Sequence, residues 1–263
     1  MNSAAKLITG GPYREALRDV LSHFRPACAG ILARRALLRR IDTKFLVPAT
    51  AIETLLDQLT DSYGVLRARQ EAVARYESLY FDTQELACFH DHRRGRRPRQ
   101  KIRVRHYPDR QVSFLEVKTK KNDLLTIKHR LERPFGDSSL DRDAHEFLSA
   151  HCRLSPGSLR RQAWTNFHRL TLIGLHTNER VTIDLDLQLV RQDIDRTLNK
   201  LVIAEVKQSL FCARTPVMRA LRGLGLRPAS ASKYCTAIAL ASRERIRTNR
   251  LLPSLRAVER MAS

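Results

Sequence analysis

The chain has 263 residues, of which 43% are hydrophobic, so it is long enough to bury the core of one large domain. Its 48 Lys and Arg against 27 Asp and Glu give a formal net charge of +21, which predicts a polyanionic partner: nucleic acid, an acidic membrane surface or a phosphate-rich molecule. The five cysteines form no CxxC pair and no stretch approaches eighteen apolar residues, so we expect a protein of the reducing cytosol without a membrane-spanning helix.

In chain order, the pattern predicts a strand-rich domain between two less regular ends. Residues 1–38 carry apolar positions at helical spacing, and a strand and a helix follow at 40–47 and 49–60. Further strands are predicted at 77–83, 98–107, 111–121, 125–135, 167–176, 179–190 and 201–208, and helices at 141–163 and 216–224. We therefore expect a helical leader at 1–38, one α+β domain at 39–243 and a basic tail at 244–263.

Charged and apolar residues alternate in five of the predicted strands. In the strand at 98–107, Lys101, Arg103 and Arg105 share one face, while Ile102 and Val104 share the other. The same alternation collects further charges on single strand faces: Glu116, Lys118, Lys128, Arg130, Glu132, Asp184, Asp186, Glu205 and Lys207. A solvated sheet face also alternates, but it usually includes more Ser, Thr and Gln. Because neighbouring like charges repel unless an anion lies among them, the pattern favours a barrel with a charged, anion-filled lumen.

Acidic residues in such a lumen would oppose anion binding. A divalent metal would explain Glu116, Asp184, Asp186 and Glu205, because Mg²⁺ and Mn²⁺ bind carboxylate oxygens and bridge to phosphate. The alternative is that each carboxylate pairs with a neighbouring Arg or Lys. The sequence leaves both interpretations open.

Eight segments in order resemble a known family: RIDTKFLV, YESLYFDT, KIRVRHY, FLEVKTKK, IKHR, ERVTIDLDL, IAEVK and SKY. Together they resemble the VTC domain, the catalytic domain of the vacuolar transporter chaperone polyphosphate polymerases, within the triphosphate tunnel (CYTH-like) superfamily. The resemblance covers residues 39 to 242. It implies an eight-stranded antiparallel β-tunnel with flanking helices that transfers the ATP γ-phosphate to a growing polyphosphate chain. It also implies Mn²⁺ or Mg²⁺ as cofactor, and ATP, pyrophosphate, triphosphate and polyphosphate as ligands.

Matched position by position, the resemblance assigns roles to single residues. It implies catalytic phosphate contacts from Lys44, Arg103, Arg105, Lys118 and Lys207. It implies further phosphate-binding cations at Lys128, Arg130, Arg169, Arg180 and Lys233, and Lys101 joins them by its place on the charged face. Glu205 matches the metal-binding glutamate, and Glu116, Asp184 and Asp186 are the other metal candidates. Asp42 stands where the family has a longer glutamate, which weakens the case for a metal ligand there.

Three other functions fit parts of this pattern. The same cage could hydrolyse triphosphate or polyphosphate, because phosphoryl transfer depends mainly on positioning and charge neutralisation. It could also bind polyphosphate or a nucleotide as a sensor without turnover. Nucleic-acid binding is disfavoured, because Trp164 and the tyrosines are not interleaved with basic residues as in stacking platforms.

Two basic regions have no assigned role in the tunnel. The arginine-rich run at 93–99 contains Gly95 and Pro98 and predicts a mobile loop that leads into the next strand. The pattern favours a solvated charge cluster, and the functional alternative is a landing patch for polyphosphate at the tunnel mouth. Residues 1–38 and 244–263 lie outside the resemblance, and their basic character could bring the protein to acidic lipid or a membrane-protein partner at the inner face of a membrane.

Overall fold

The computed structural model describes residues 14–27, 40–67, 71–122, 125–242 and 246–262. The strands are β1 Arg25–Pro26, β2 Ile41–Pro48, β3 Tyr63–Val65, β4 Val73–Asp82, β5 Arg99–Tyr107, β6 Val112–Lys120, β7 Thr126–Arg133, β8 Arg160–Gly174, β9 Glu179–Arg191, β10 Ile194–Leu198 and β11 Leu201–Gln208. The helices are α1 Arg14–Ser22, α2 Ile52–Asp57, α3 Ala87–Arg94, α4 Arg142–His151, α5 Pro216–Gly223, α6 Lys233–Leu240 and α7 Leu252–Ala262.

Eight strands form a continuous antiparallel series in the order β2-β11-β9-β8-β4-β5-β6-β7. The short strands β10 and β3 pair at the side with β9 and β8, and β1 runs parallel to β3. Within the described residues β2 and β7 do not pair with each other, so the barrel is open. The predicted eight-stranded antiparallel tunnel with flanking helices is confirmed.

The two edges of this sheet curl toward each other. Lys44 of the edge strand β2 and Lys118 of β6, the neighbour of the edge strand β7, lie on the charged faces of their strands. Burial lowers the pKa of Lys118, and the positive charge of Lys44 lowers it further, as expected for two side chains that share one lumen. An irregular segment covers the outer edge of β2, where the Ala229 N–H donates to the Lys44 carbonyl at 2.8 Å and Pro228 forms a bridge with Phe45. The wall is therefore completed on this side by chain that is not a strand.

The apolar strand faces point away from the lumen and pack under the helices. Ile102 of β5 lies in one core with Leu148 of α4. Ile183 of β9 lies in a second core with Leu55 of α2 and Leu221 of α5. Because each strand buries its apolar face outside the barrel, its charged face is left to line the inside.

Both ends of the chain contribute to these cores where they are described. Leu17 and Phe24, in and after α1, are buried in the second core. Leu255 and Val258 of α7 are buried in the first core. The division into leader, domain and tail stays a prediction, but the described parts of both ends pack onto the tunnel. No helix in the described ranges is long and apolar enough to cross a membrane.

Two predicted elements are wrong in their extent. The helix predicted at 141–163 ends at His151, and β8 already begins at Arg160, because pairing with β4 extends that strand. The loop predicted around the arginine-rich run is partly helical. Arg93 is buried in the last turn of α3, and the helix ends at Gly95, whose φ of 69° suits glycine.

Candidate functional site: a cationic tunnel

The register of three neighbouring strands places three lysines side by side. Lys101 of β5 lies opposite Lys118 of β6, and Lys118 lies opposite Lys128 of β7. Directly opposed residues have Cβ atoms about 4.5–5.5 Å apart, so like charges at these positions destabilise the sheet. We call these three residues the lysine row.

Lys44 on β2 adds a fourth positive charge across the lumen. Burial lowers the pKa of Lys101 to about 8, and the charges of Lys44 and Lys118 contribute to this shift. Within the described part of the chain, no carboxylate lies within 4.0 Å of the Nζ atom of Lys101 or Lys118. Among the described residues these two ammonium groups therefore have no direct ion pair.

Two residues further along the same three strands, Arg103, Glu116 and Arg130 again lie directly opposite one another. The Glu116 carboxylate is 1% exposed and forms ion pairs with Arg103, at 2.6 Å from Nη2, and with Lys128. Burial alone would raise the pKa of Glu116, but the charges of Arg103, Arg105 and Lys128 hold it well below its usual range. Glu116 is thus an ionised counter-charge that orients two cations.

Asp184 of β9 has the same role on the opposite wall. Its carboxylate is 2% exposed and accepts two hydrogen bonds from Arg169, at 2.5 Å from Nε and 2.8 Å from Nη2. It also pairs with Lys233, the first residue of α6, whose start is fixed because the Ser232 hydroxyl accepts a hydrogen bond from the Cys235 N–H. A helix outside the sheet thereby delivers a cation to the lumen.

Glu205 of β11 is less fully enclosed. One oxygen lies 2.6 Å from Lys207 Nζ, and the other lies 3.6 Å from Lys44 Nζ. Its side chain is 16% exposed. Lys44 also donates to the Ala231 carbonyl at 3.0 Å, and Lys207 donates to the Thr182 hydroxyl at 2.8 Å, so these lysines are held by neutral acceptors as well.

Asp186 is separated from the other predicted site residues. It has a φ of 51° at an irregularity in the pairing of β8 with β9, and its Oδ2 atom lies 3.2 Å from His168 Nδ1. His168 is on the strand face opposite Arg169, away from the lumen. The other predicted residues surround the lumen: Lys44, Lys101, Arg103, Arg105, Glu116, Lys118, Lys128, Arg130, Arg169, Arg180, Asp184, Glu205, Lys207 and Lys233.

The carboxylates do not form a ready-made metal cage. Among the described residues, no group of three or more His, Cys, Asp and Glu side chains could hold one ion. Glu116 and Asp184 are buried and each neutralises two cations, so the structure favours the ion-pairing alternative for them. Glu205 fits a metal best, because it is the most exposed of the three and one of its ion pairs is long. Mg²⁺ commonly binds through one or two carboxylates together with substrate phosphates and water.

Tyr80 is a lumen residue that the sequence analysis missed. Its ring is buried, and its hydroxyl oxygen accepts a hydrogen bond from Arg103 Nη1 at 3.2 Å. Burial alone would raise the pKa of Tyr80, but the charges of Arg103, Arg105 and Lys101 lower it to about 7. Tyr80 lies opposite Arg103, so it shares the lumen face. Alternation along β4 would have placed Tyr76, Ser78 and Tyr80 on one face, but only the pairing with β5 shows that this face is the lumen face.

Four aromatic side chains meet at the end of the tunnel where β5 ends, and we call them the aromatic cluster: Tyr76, Tyr107, Phe114 and Phe167. The Tyr76 ring stacks on Phe167, with 5.2 Å between centroids, and meets Tyr107 edge-on at 5.1 Å. Tyr107 meets Phe114 edge-on at 6.0 Å. Sequence reasoning missed the cluster because its members come from four different strands, β4, β5, β6 and β8.

Arginines lie over these rings. The Arg169 guanidinium carbon is 4.9 Å from the Tyr76 centroid, and that of Arg105 is 5.3 Å from the same centroid. Arg130 lies 5.2 Å from the Phe114 centroid. The aromatic rings and basic groups, which the sequence shows apart, are therefore interleaved in space.

The match to known families agrees with this geometry. The sequence pattern of the VTC domain family matches residues 39–242, which is most of the chain. The chain belongs to the VTC domain family. This VTC domain has no curated relative that matches it significantly.

Several solved structures are similar to this VTC domain at low identity. The Bacillus halodurans protein bh2851 is 14% identical, with 73% of this chain and 93% of that chain covered and a TM-score of 0.47. HpAC1 from Hippeastrum, a protein with a dominant triphosphatase activity, is 12% identical. The match covers 78% of this chain and 97% of HpAC1, with a TM-score of 0.48. A conserved hypothetical protein from Pyrococcus furiosus is 15% identical, with 72% and 91% covered and a TM-score of 0.41. At these TM-scores the likenesses carry no information about substrate or chemistry.

Proposed function

We propose that this VTC domain is a polyphosphate polymerase, which transfers the γ-phosphate of ATP to a growing polyphosphate chain inside the tunnel. Membership of the family supports an activity on triphosphates or polyphosphate. The observation that carries the proposal is the lysine row, in which Lys101 and Lys118 lie directly opposite each other and no carboxylate of the described residues lies within 4.0 Å of them. A string of phosphates in the lumen along this row would remove their repulsion, and each charge-assisted contact contributes about 1.5–3 kcal/mol.

The other cations are positioned before the ligand arrives. Arg103 is held by Glu116, and Arg169 and Lys233 are held by Asp184, so their donors are oriented in the empty tunnel. Such preorganised charge stabilises the transferring phosphoryl group without reorganisation during the reaction. The terminal phosphate of the acceptor is already ionised at neutral pH, so the transfer requires no nucleophile from the protein.

A divalent cation fits beside Glu205 in this scheme. Mg²⁺ or Mn²⁺ held by this carboxylate would neutralise phosphate oxygens and help to orient them. If Glu205 bound the metal, Lys44 and Lys207 would lose this carboxylate as an ion-pair partner and could contact phosphate directly. Glu205→Gln is therefore expected to reduce metal-dependent turnover at least tenfold while ATP still binds. A non-catalytic sensor would instead bind ATP with no turnover before or after the substitution.

The direct test is to incubate the purified protein with γ-labelled ATP and Mn²⁺ or Mg²⁺. Products are resolved on a polyacrylamide gel, and free phosphate is assayed in the same samples. A ladder of labelled chains of increasing length is the expected result. Release of free phosphate without a ladder would contradict polymerisation and identify a hydrolase, and neither product would favour the sensor.

Matched variants connect this activity to the tunnel. Lys118→Met is expected to abolish the ladder. Arg142→Met removes a positive charge from the outer surface of α4, where the side chain is 89% exposed, and is expected to leave the ladder intact. Duplex DNA is expected not to compete with tripolyphosphate, and efficient competition would support nucleic-acid binding instead.

Cytosolic location and a membrane-protein partner stay predictions. The location rests on the spacing of the cysteines, and the membrane contact depends on residues 1–38 and 244–263, of which 1–13, 28–38, 244–245 and 263 lie outside the described residues. Sedimentation of the full chain with vesicles of acidic and of neutral phospholipid would test the membrane contact.

A further inference from the structure

The chemistry of the tunnel wall changes from one end to the other. Along β5 the lumen residues are Lys101, Arg103, Arg105 and Tyr107, in that order. Along the antiparallel neighbour β6, Phe114 lies opposite Arg105, and Lys118 lies opposite Lys101. The lysine row thus lies toward one mouth, the aromatic cluster lies toward the other, and arginines lie between them.

A phosphate chain makes no favourable direct contact with the aromatic cluster on the lumen face. The face of an aromatic ring carries negative potential and does not attract an anion. Tyr76, Tyr107 and Phe114 are nevertheless only partly buried, although they belong to the wall of a cationic tunnel. Aromatic faces beside guanidinium planes are the surfaces on which nucleobases stack, with little dependence on which base is bound.

The distance between the two ends suits a nucleotide. Lys101 and Tyr107 are six residues apart on one strand, which corresponds to about 20 Å at ~3.3 Å per residue. An extended nucleoside triphosphate fits within that length, with its base at one end and its terminal phosphate at the other. Arg105 and Arg130 occupy the intervening positions, where the inner phosphates would lie.

We propose that the aromatic cluster is a nucleobase subsite. A nucleoside triphosphate enters with its base on the rings of Tyr76, Tyr107 and Phe114 and its terminal phosphate at the lysine row. This orientation rests on the proposed phosphate site, and it directs the growing chain away from the aromatic cluster toward the mouth beyond the lysine row. The contacts at the cluster are ring faces and guanidinium planes, so purine nucleotides bind with little preference for one base.

The test compares ATP with tripolyphosphate, which has the same phosphates and no base. Binding of each ligand is measured by calorimetry for the natural protein, Phe114→Leu and Tyr76→Leu. Leucine keeps apolar bulk and removes the ring. We expect ATP affinity to fall roughly fivefold or more, since one stacked base contributes about 1–3 kcal/mol, while tripolyphosphate affinity changes less than twofold.

Controls separate this inference from the proposed function. Lys118→Met is expected to weaken both ligands, and GTP is expected to follow ATP in every variant. If the leucine variants weaken ATP and tripolyphosphate equally, or weaken neither, the aromatic cluster only supports the arginines and the nucleobase subsite is wrong. If the natural protein binds neither ligand, the phosphate site itself is wrong.

Discussion

The two walls of the tunnel differ in how much of their positive charge the fold neutralises. On the wall formed by β8 and β9, Arg169 and Lys233 share the buried carboxylate of Asp184. On the wall formed by β5 and β6, Glu116 pairs with Arg103, but no carboxylate of the described residues lies within 4.0 Å of the opposed Lys101 and Lys118. Arg169 and Lys233 are therefore neutralised by the fold, whereas Lys101 and Lys118 are left for a ligand to neutralise. Substitutions in the two walls should therefore affect stability and binding in opposite proportions.

The largest effect on stability is expected from Asp184→Asn. The substitution leaves the partly buried charges of Arg169 and Lys233 without a counter-charge, and breaking a fully buried pair costs about 3–5 kcal/mol, which is the upper bound here. For a chain of this size that corresponds to a fall in Tm of roughly 10 °C. Thermal unfolding without ligand measures it, and an unchanged Tm would mean that the Asp184 cluster is not buried as described.

Lys118→Met should show the reverse pattern. The substitution removes the middle one of three opposed charges, so the protein without ligand should be as stable as the natural protein or more stable. Tripolyphosphate affinity should fall about tenfold or more, because one charge-assisted contact of about 1.5–3 kcal/mol is lost. Calorimetry and thermal unfolding of the same sample check both expectations. Loss of stability together with intact binding would remove the distinction between the two walls.

Raising the pH from 8 to 9 should sharpen the comparison. The pKa of Lys101 is about 8 in the folded protein and about 10.4 in an unfolded chain, so the unfolded chain binds more protons in this interval. Deprotonation of Lys101 should therefore increase the free energy of unfolding of the ligand-free protein as pH rises. It should also lower the affinity for tripolyphosphate, because the positive charge of Lys101 is lost. Tyr80, with a pKa of about 7 against about 10 unfolded, acts in the same direction. Cys235 acts in the opposite direction, because burial raises its pKa and the folded protein keeps this proton longer than the unfolded chain does.

The pH experiment has its own control. Lys101→Met should remove part of both pH dependences between pH 8 and 9. The Asp184 carboxylate should contribute nothing there, because the charges around it hold its pKa far below this interval. Identical pH profiles for the natural protein and Lys101→Met would show that Lys101 does not titrate in this interval.

The smallest effect is expected from Arg142→Met on the outer surface. Arg142 forms a 3.0 Å pair with Glu146 one helical turn away, and both side chains are mostly exposed. Pairs of this kind contribute about 0.5 kcal/mol or less. Tm and tripolyphosphate affinity should both stay within error. A clear loss of affinity would show that the overall charge, and not its position in the tunnel, controls binding.

The sequence predicted which residues line the tunnel better than it predicted how they pair. Alternation is a local property of one strand, so Lys101 and Arg103 could be placed on one face before any partner was known. The neighbours of Glu116 and Asp184 depend on cross-strand register, and this is why their ion pairs stayed one of two alternatives. Asp186 fits the alternation as a lumen residue, but the irregular pairing at its position turns it toward His168. The aromatic cluster was missed because no single segment contains it.

Strand β7 has a further consequence for the behaviour of the protein at high concentration. Within the described residues it pairs only with β6, so its other edge could extend a sheet with a second molecule. Lys128, Arg130 and Glu132 are all exposed along this strand. Charged side chains on an edge strand discourage such pairing, so two of the residues assigned to phosphate binding also protect the protein against aggregation. Neutralising Lys128 and Arg130 together should therefore lower solubility as well as affinity.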